Sequence, residues 1–369
     1  MKALYFSLAF LLFATCADAQ SPRSQDLDTY MNAEESVKEF SGTVLIIQKG
    51  KKVYEKSTLY ADREWKIPNS TQAKYRIGSI TKQFTAVLIL KLEEEGKLSV
   101  NDKLSKYYPG YPKGDSVTLH MLLNHTSGIK NYTAIPGVWQ SLNYKYSVDS
   151  LIRVFKDKPY DFAPGTKWNY SNSGYYLLGM IIEKVSGETY SEFLTKTFFR
   201  PLQMQDTYVF TLQDTNRATR SFKINGRLYP MEYLDLVYGD KNIYSTPDDM
   251  LKWDAALRGG VLFKKSTLDS AYTPYSLEKP GKRNYGLGWR MIVVPDGKKL
   301  IYHNGWWHGN RTVFIRMMEE NATIIALCNN DNKRVYSAKK LCDIFGNYQQ
   351  SRESEEPEND PEGRGGEKR

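Results

Sequence analysis

The chain has 369 residues, 41% of them hydrophobic and 25% charged, which is enough to bury one large core or two lobes and excludes a disordered or fibrous protein. Its net charge of +9 suits anionic surroundings such as cell-wall polymer or lipid headgroups. The lysines are scattered rather than massed in a stripe, so nucleic acid is not an expected partner.

Met1-Lys2, the apolar run Leu4 to Phe13 and Ala17-Asp18-Ala19 read as a secretory signal peptide over residues 1–19, with a mature chain from Gln20. The run is too short to span a bilayer, and no later segment reaches the roughly 20 apolar residues a membrane helix needs. An exported protein, periplasmic or secreted and without a transmembrane segment, is expected. Cys16 offers lipoprotein processing as an alternative, but Phe13-Ala14-Thr15 is a poor approach to a lipidated cysteine. Export would permit Cys328 and Cys342 to pair, although sequence alone does not place them within bridging distance, and two buried thiols are the favoured reading. His120, His125, His303 and His308 have no metal-ligand spacing, so neither metal nor other cofactor is expected.

Gln25 to Phe40 reads as an amphipathic helix, and Gly42 to Gln48 with Lys52 to Thr58 as a hairpin turning at Lys49-Gly50. An apolar helix follows Ser79 as far as Gly96, then a loop over Leu98 to Tyr108 and a short helix over Val117 to Leu123. Mainly helical signals continue to about Leu236, with Tyr175 to Val185 the most apolar segment, closing at Gly187. Thr246-Pro247 opens another helix, Asp248 to Gly259. The period then changes to strands over Tyr285 to Val294, Lys299 to His303, Thr312 to Met318 and Ala322 to Cys328, before a last helix over Lys333 to Phe345. Residues 349–369 carry no aliphatic or aromatic anchor and read as a disordered tail. A sheet lobe of about residues 25–85 and 237–348 is thus split by a helical lobe of about residues 86–236. The cleft between the lobes is the expected site.

Ser79 and Lys82 stand three apart where the Gly78 turn leads into a buried helix. That spacing puts an amine within reach of a hydroxyl, the pairing of a nucleophile with its base, and Ser79 also suits a helix cap. Ser-x-x-Lys is a cheap pattern, recurring at Ser127/Lys130, Ser276/Lys279 and Ser337/Lys340, but only Ser79 opens a long buried helix. Two further groups fall near the seam between lobes. Tyr170-Ser171-Asn172 presents a phenol and a carboxamide on a turn-rich loop, whereas the similar Tyr30/Asn32 lies in a leading helix. His303-Asn304-Gly305-Trp306 ends a strand at a glycine that lets another backbone come close, as a substrate along a sheet edge requires.

Ser79-Ile80-Thr81-Lys82, Tyr170-Ser171-Asn172 and His303-Asn304-Gly305, in this order, resemble the three motifs of the penicillin-recognising serine hydrolases. The class C β-lactamase and D-alanyl-D-alanine peptidase branch is the most similar. Supporting stretches are Leu122 to Gly128, Pro164-Gly165-Thr166 and Tyr285-Gly286-Leu287-Gly288-Trp289, and the likeness spans about residues 30–346. It implies an α/β fold of the β-lactamase/transpeptidase-like class, an antiparallel sheet flanked by terminal helices with an inserted, mainly helical lobe. It also implies an acyl-enzyme on Ser79, Lys82 and Tyr170 sharing the proton work, and Asn172 holding Lys82 and the substrate's acyl side chain. His303, Asn304, Gly305 and Trp306 would bind substrate, with the N–H groups of Ser79 and Trp306 as the oxyanion hole.

His303 departs from the lysine usual in β-lactamases; at its ordinary pKa of about 6.5 it would make the cation facing a substrate carboxylate optional. The expected function is therefore a D-amino-acid peptidase or carboxypeptidase on small or peptide substrates of cell-wall type, not an efficient β-lactamase. An esterase or amidase of the same mechanism, or a non-catalytic binding protein, are the alternatives. Trp306 and Trp307 are expected either to wall the cleft against bulky antibiotics or to pack as core aromatics.

Overall fold

The computed structural model describes Leu27, Thr29 and residues 40–138, 148–260, 262–279 and 283–350. The expected signal peptide over residues 1–19, most of the expected helix from Gln25 to Phe40 and residues 351–369 of the expected tail lie outside the described residues. The main sheet has eight strands: β1 (Gly42–Gln48), β2 (Lys51–Thr58), β3 (Ser276–Lys279), β4 (Arg283–Tyr285), β5 (Arg290–Val293), β6 (Lys299–Trp307), β7 (Asn310–Met317) and β8 (Ala322–Cys328). They are ordered β2-β1-β8-β7-β6-β5-β4-β3, all antiparallel. The N-terminal hairpin joins the C-terminal strands through the ladder from Gly42↔Cys328 to Gln48↔Ala322. This is the β-lactamase/transpeptidase-like fold, with the two ends of the chain meeting in one sheet.

Strand alternation gives the sheet two apolar faces. Ile301, Phe314, Ile325 and Leu45 face a large core shared with helices α1 (Thr81–Glu94), α2 (Asn172–Ser186) and α3 (Pro247–Gly259). Tyr302, Val313, Ile315, Ile324 and Val44 face a second core closed by Val335, Leu341 and Phe345 of the last helix. Helix α1 is buried from Thr81 to Leu90, as its all-round apolar sequence predicts. Helix α3 has the expected cap: Thr246 accepts from the Asp249 N–H, and Pro247 stands at the helix start. Gly187 closes α2 in the left-handed conformation.

Several elements differ from expectation. The stretch Tyr285 to Val294 is two strands, because Gly286-Leu287-Gly288 breaks the ladder and the Gly288 backbone, at φ +86, packs against Ala86 of α1. Ser276–Lys279, whose polar sequence hides a strand, is the sheet's edge. Leu104–Tyr107 forms one helical turn inside the expected loop. The last helix has 3₁₀ geometry over Lys333–Ile344. Between α2 and α3 the chain is less helical than expected: beyond residue 200 it is mostly turns, with Tyr208–Val209 pairing to Ile243–Ser245. Cys328 and Cys342 are buried and free.

Candidate active site

Strand β6 is paired with β7 from Leu300 to Trp307, but its ladder to β5 covers only Arg290↔Tyr302 to Val293↔Lys299. From His303 onward its other flank therefore lies beyond the β5 ladder, and the turn bearing Ser79 comes down beside it. Gly305 permits that approach: a Cβ there would lie 2.0 Å from the Ile77 carbonyl oxygen and 2.2 Å from Thr312 Oγ1. Thr312 Oγ1 fixes the contact by donating to the Ile77 oxygen at 2.8 Å. Gly78, at φ +56, is needed for the same reason, since a Cβ there would stand 2.5 Å from the Trp306 nitrogen. The N–H of Trp306 and the turn carrying Ser79 thus meet at one point.

Ser79 lies in a 3₁₀ turn, Gly78–Ile80, and does not cap α1, whose N-cap position is Ile80. Its hydroxyl instead faces Lys82 Nζ at 2.9 Å. Lys82 Nζ donates to Asn172 Oδ1 at 2.7 Å and to the Asp240 carbonyl at 2.9 Å. Two of these three partners are thus oxygens that can only accept, while the third is a hydroxyl able to donate. Lys82 Nζ donates to all three oxygens, and of these only the Ser79 hydroxyl could donate in return to the amine's lone pair once a proton has left it. All of Ser79, Lys82 and Asn172 are buried. Among the other Ser-x-x-Lys pairs, Lys130 turns to Asp161 at 2.6 Å and Ser127 Oγ accepts from the Ile129 N–H.

Asn172 is oriented by a loop with no motif signal in the sequence. Its backbone N–H donates to Asn131 Oδ1 at 3.1 Å and its Nδ2 to Thr133 Oγ1 at 3.2 Å, so Oδ1 is turned toward Lys82. Tyr170 is buried beside Lys82, with Nζ 4.8 Å from the ring centroid. His125, hidden in the Asn-His-Thr-Ser-Gly loop, packs 4.3 Å from the Tyr170 ring and 4.5 Å from Tyr285, and its Nδ1 accepts from the Ser171 N–H. It ties the Tyr170 loop to β4.

His303 is fully buried, with Nε2 2.9 Å from the Tyr285 hydroxyl and Nδ1 2.6 Å from the Asn304 carbonyl oxygen. Burial, with the Arg290 guanidinium as a neighbouring cation, pushes its pKa well below the usual value, so it is neutral. The expectation of a histidine that titrates near neutrality to hold a substrate carboxylate is corrected accordingly. His125 is pushed well down by its burial and by Lys82, His303 and Arg290. The permanent cation of this region is Arg290 of β5, which the sequence did not single out. It is 4% exposed, its guanidinium is 5.4 Å from the Tyr170 ring, and Nε is 3.3 Å from Glu278.

Asn304 and Trp306 alternate to the opposite face of β6 from His303 and Gly305, across from Val313 and Arg311 respectively. They can therefore serve the cleft only through their backbone. Trp306 stacks under Arg311 at 4.7 Å, while Trp307 turns inward, 4.5 Å from Lys241 Nζ, and its indole N–H donates to Asp235. Of the two tryptophans, Trp307 is the fully buried core aromatic, and Trp306 is half-buried on the other face of β6. A separate cavity of about 710 Å³, floored by Arg76, Asp235 and His308, opens beyond Trp307; neither Ser79, Lys82 nor Tyr170 lines it. No group of histidine, cysteine and carboxylate side chains among the described residues could hold a metal ion.

A family model described as Beta-lactamase matches residues 32–341. Penicillin-binding protein 4* of Bacillus subtilis is 32% identical over 317 residues, covering 81% of this chain and 70% of that protein. Among solved structures, the penicillin binding protein from Bacillus halodurans superposes with a TM-score of 0.74 at 25% identity, covering 86% of this chain and 98% of that one. The D-amino acid amidase from Ochrobactrum anthropi superposes with a TM-score of 0.71 over 88% of this chain and 96% of its own, a likeness of fold alone at 22% identity. A family pattern spanning most of the sequence, carried by the matching fold, makes this chain a member of the β-lactamase family of serine hydrolases.

Proposed function

We propose that this is an exported peptidase acting on peptides that end in a D-amino acid with a free carboxylate, through an acyl-enzyme on Ser79, and that it is a poor β-lactamase. The observation that carries the mechanism is the partner set of Lys82: two acceptor-only oxygens at 2.7 and 2.9 Å and the Ser79 hydroxyl at 2.9 Å. A free lysine is about 99.9% protonated at pH 7, so a base in this position must be held neutral by its surroundings. Lys82 takes the Ser79 proton as Oγ attacks the scissile carbonyl. The N–H groups of Ser79 and Trp306 receive the developing oxyanion, each worth about 3–4 kcal/mol to the transition state. Tyr170, against Lys82, passes the proton to the leaving amine. Water then enters by the same route and releases the acyl group.

Substrate polarity follows from β5 and β6. The oxyanion sits at Trp306, and Arg290 lies beside Tyr302 on the neighbouring strand. In this reading the leaving group is placed toward Arg290, whose guanidinium lies 5.4 Å from the Tyr170 ring and whose planar fork suits a carboxylate. The relative named as a penicillin-binding protein supports this class of substrate. A neutral His303 where β-lactamases have a lysine weighs against efficient antibiotic turnover.

A small-acyl esterase or amidase is the second reading, favoured by Glu278, which offsets part of the Arg290 charge. The experiment compares a D-alanyl-D-alanine peptide with its C-terminal amide. Arg290→Gln should lower kcat/KM for the acid about 10- to 100-fold, as expected for a hydrogen bond between charged groups, while sparing the amide. Equal losses on both substrates would remove Arg290 as the carboxylate anchor and favour the second reading.

A further inference from the structure

The segment that supplies Lys82 with the Asp240 carbonyl also buries an ion pair directly behind the site. Asp240 and Lys241 are both 0% exposed, with Lys241 Nζ 2.8 Å from Asp240 Oδ2. The Tyr132 hydroxyl donates to the same oxygen at 2.6 Å, and Lys241 Nζ donates to Tyr132. The Trp307 ring covers Lys241 at 4.5 Å. None of these residues belongs to the three sequence motifs, and apart from the Asp240 carbonyl that accepts from Lys82 none has a role in the acyl transfer described above.

A buried ion pair costs desolvation and rarely adds net stability, so its presence beside a catalytic amine calls for another account. Asp240 touches Lys82 with its carbonyl while carrying a carboxylate on the same residue. An unbalanced carboxylate there would hold Lys82 as an ammonium and so disable it as a base. The other charged and titratable groups facing Lys82 are Tyr170, Tyr175, His125, His303 and Arg290. The histidines are neutral, Arg290 is cationic and partly offset by Glu278, and burial raises the Tyr175 phenol well above its usual pKa. Asp240 is thus the acidic residue whose own backbone touches Lys82.

We propose that Lys241, with Tyr132, is a positioning residue that neutralises the Asp240 carboxylate and thereby keeps Lys82 available as the base. This rests on the Ser79/Lys82 reading. The test is the rate at which a fluorophosphonate acylates the full chain, followed by intact mass across pH 5 to 10. Loss of labelling in Ser79→Ala checks the underlying reading separately.

Lys241→Met should move the acidic limb of the wild-type profile upward by about 1–3 pH units, slowing labelling below the limb about tenfold per unit. Lys241→Met combined with Asp240→Asn should return the limb to near the wild-type position. Tyr132→Phe, which keeps both charges and removes one donor to Asp240, should move it less, in the same direction, and guards against a Lys241→Met chain that fails to fold. A limb that stays in place in the folded single variants, or one that the double variant does not restore, overturns the proposal.

Discussion

Two imidazoles are buried uncharged around the site, and their protons link stability to pH. Burial lowers the pKa of His125 and of His303, in both cases reinforced by the Arg290 guanidinium. Unfolding exposes each to water, where it titrates near pH ~6.5. The unfolded chain therefore binds more protons than the folded one below that value. The stability these groups contribute is fully present above about pH 6.5 and is lost as pH falls toward their lowered folded-state values. Each proton taken up is worth about 1.4 kcal/mol per pH unit, so the pair should give a slope approaching about 3 kcal/mol per unit below pH 6 until the lowered folded-state values are reached. His120, lowered by its partial burial, adds a smaller increment. The carboxyls of Asp235 and Asp254 are held low against their own burial by Arg76 and by Arg316 with Arg258, respectively, so their loss falls below about pH 4, outside this window. Urea unfolding at half-unit intervals measures the slope, and His303→Asn should reduce it by about 1.4 kcal/mol per pH unit. A flat profile from pH 6.5 to 4.5, or a slope unchanged in His303→Asn, would refute the buried neutral histidine. The same neutrality predicts that peptide hydrolysis has no inflection near pH ~6.5 arising from His303.

Gly305→Ala should be damaging out of proportion to one methyl group, because its Cβ would meet the Ile77 carbonyl at 2.0 Å and push the Ser79 turn off Trp306. Thermal melts should show a loss of about 1–3 kcal/mol, with a larger proportional fall in the acylation rate; an active, fully stable Gly305→Ala would contradict the close approach. Asn172→Ala removes the 2.7 Å contact to Lys82 and the bond to Thr133. It should cut kcat/KM about 10- to 100-fold with little change in KM, and steady-state kinetics on an ester would expose a pure KM effect as evidence for a substrate-binding role instead.

Much of the fold was legible because its elements are strongly patterned. The β1–β2 hairpin, the buried α1, the capped α3 and β8 follow from alternation, all-round apolarity or cap chemistry acting locally. The edge strand β3 was not, since an edge needs no apolar alternation and Ser276 lies in a polar stretch leading to Pro280. Ser79, Lys82, Tyr170 and Asn172 converge as their spacing and family likeness suggested, because each lies at a helix start or on a rigid turn. The state of His303 was hidden, because a sequence shows the residue but not the burial and the Arg290 guanidinium that neutralise it. Asn131, Thr133 and Asp240 also left no trace. They act on Asn172 and Lys82 through contacts 39 to 158 residues away in sequence, by single side-chain or backbone oxygens that any local pattern would read as loop.

The nucleophile is tested most directly by intact mass followed over time after mixing with a fluorophosphonate and, separately, with benzylpenicillin, each adduct then mapped by peptide. The account predicts one covalent equivalent from the fluorophosphonate on the peptide containing Ser79, none on Ser79→Ala, and a penicilloyl adduct on the same residue that persists rather than turning over. An adduct that survives Ser79→Ala, or that maps to Ser127 or another serine, would contradict it.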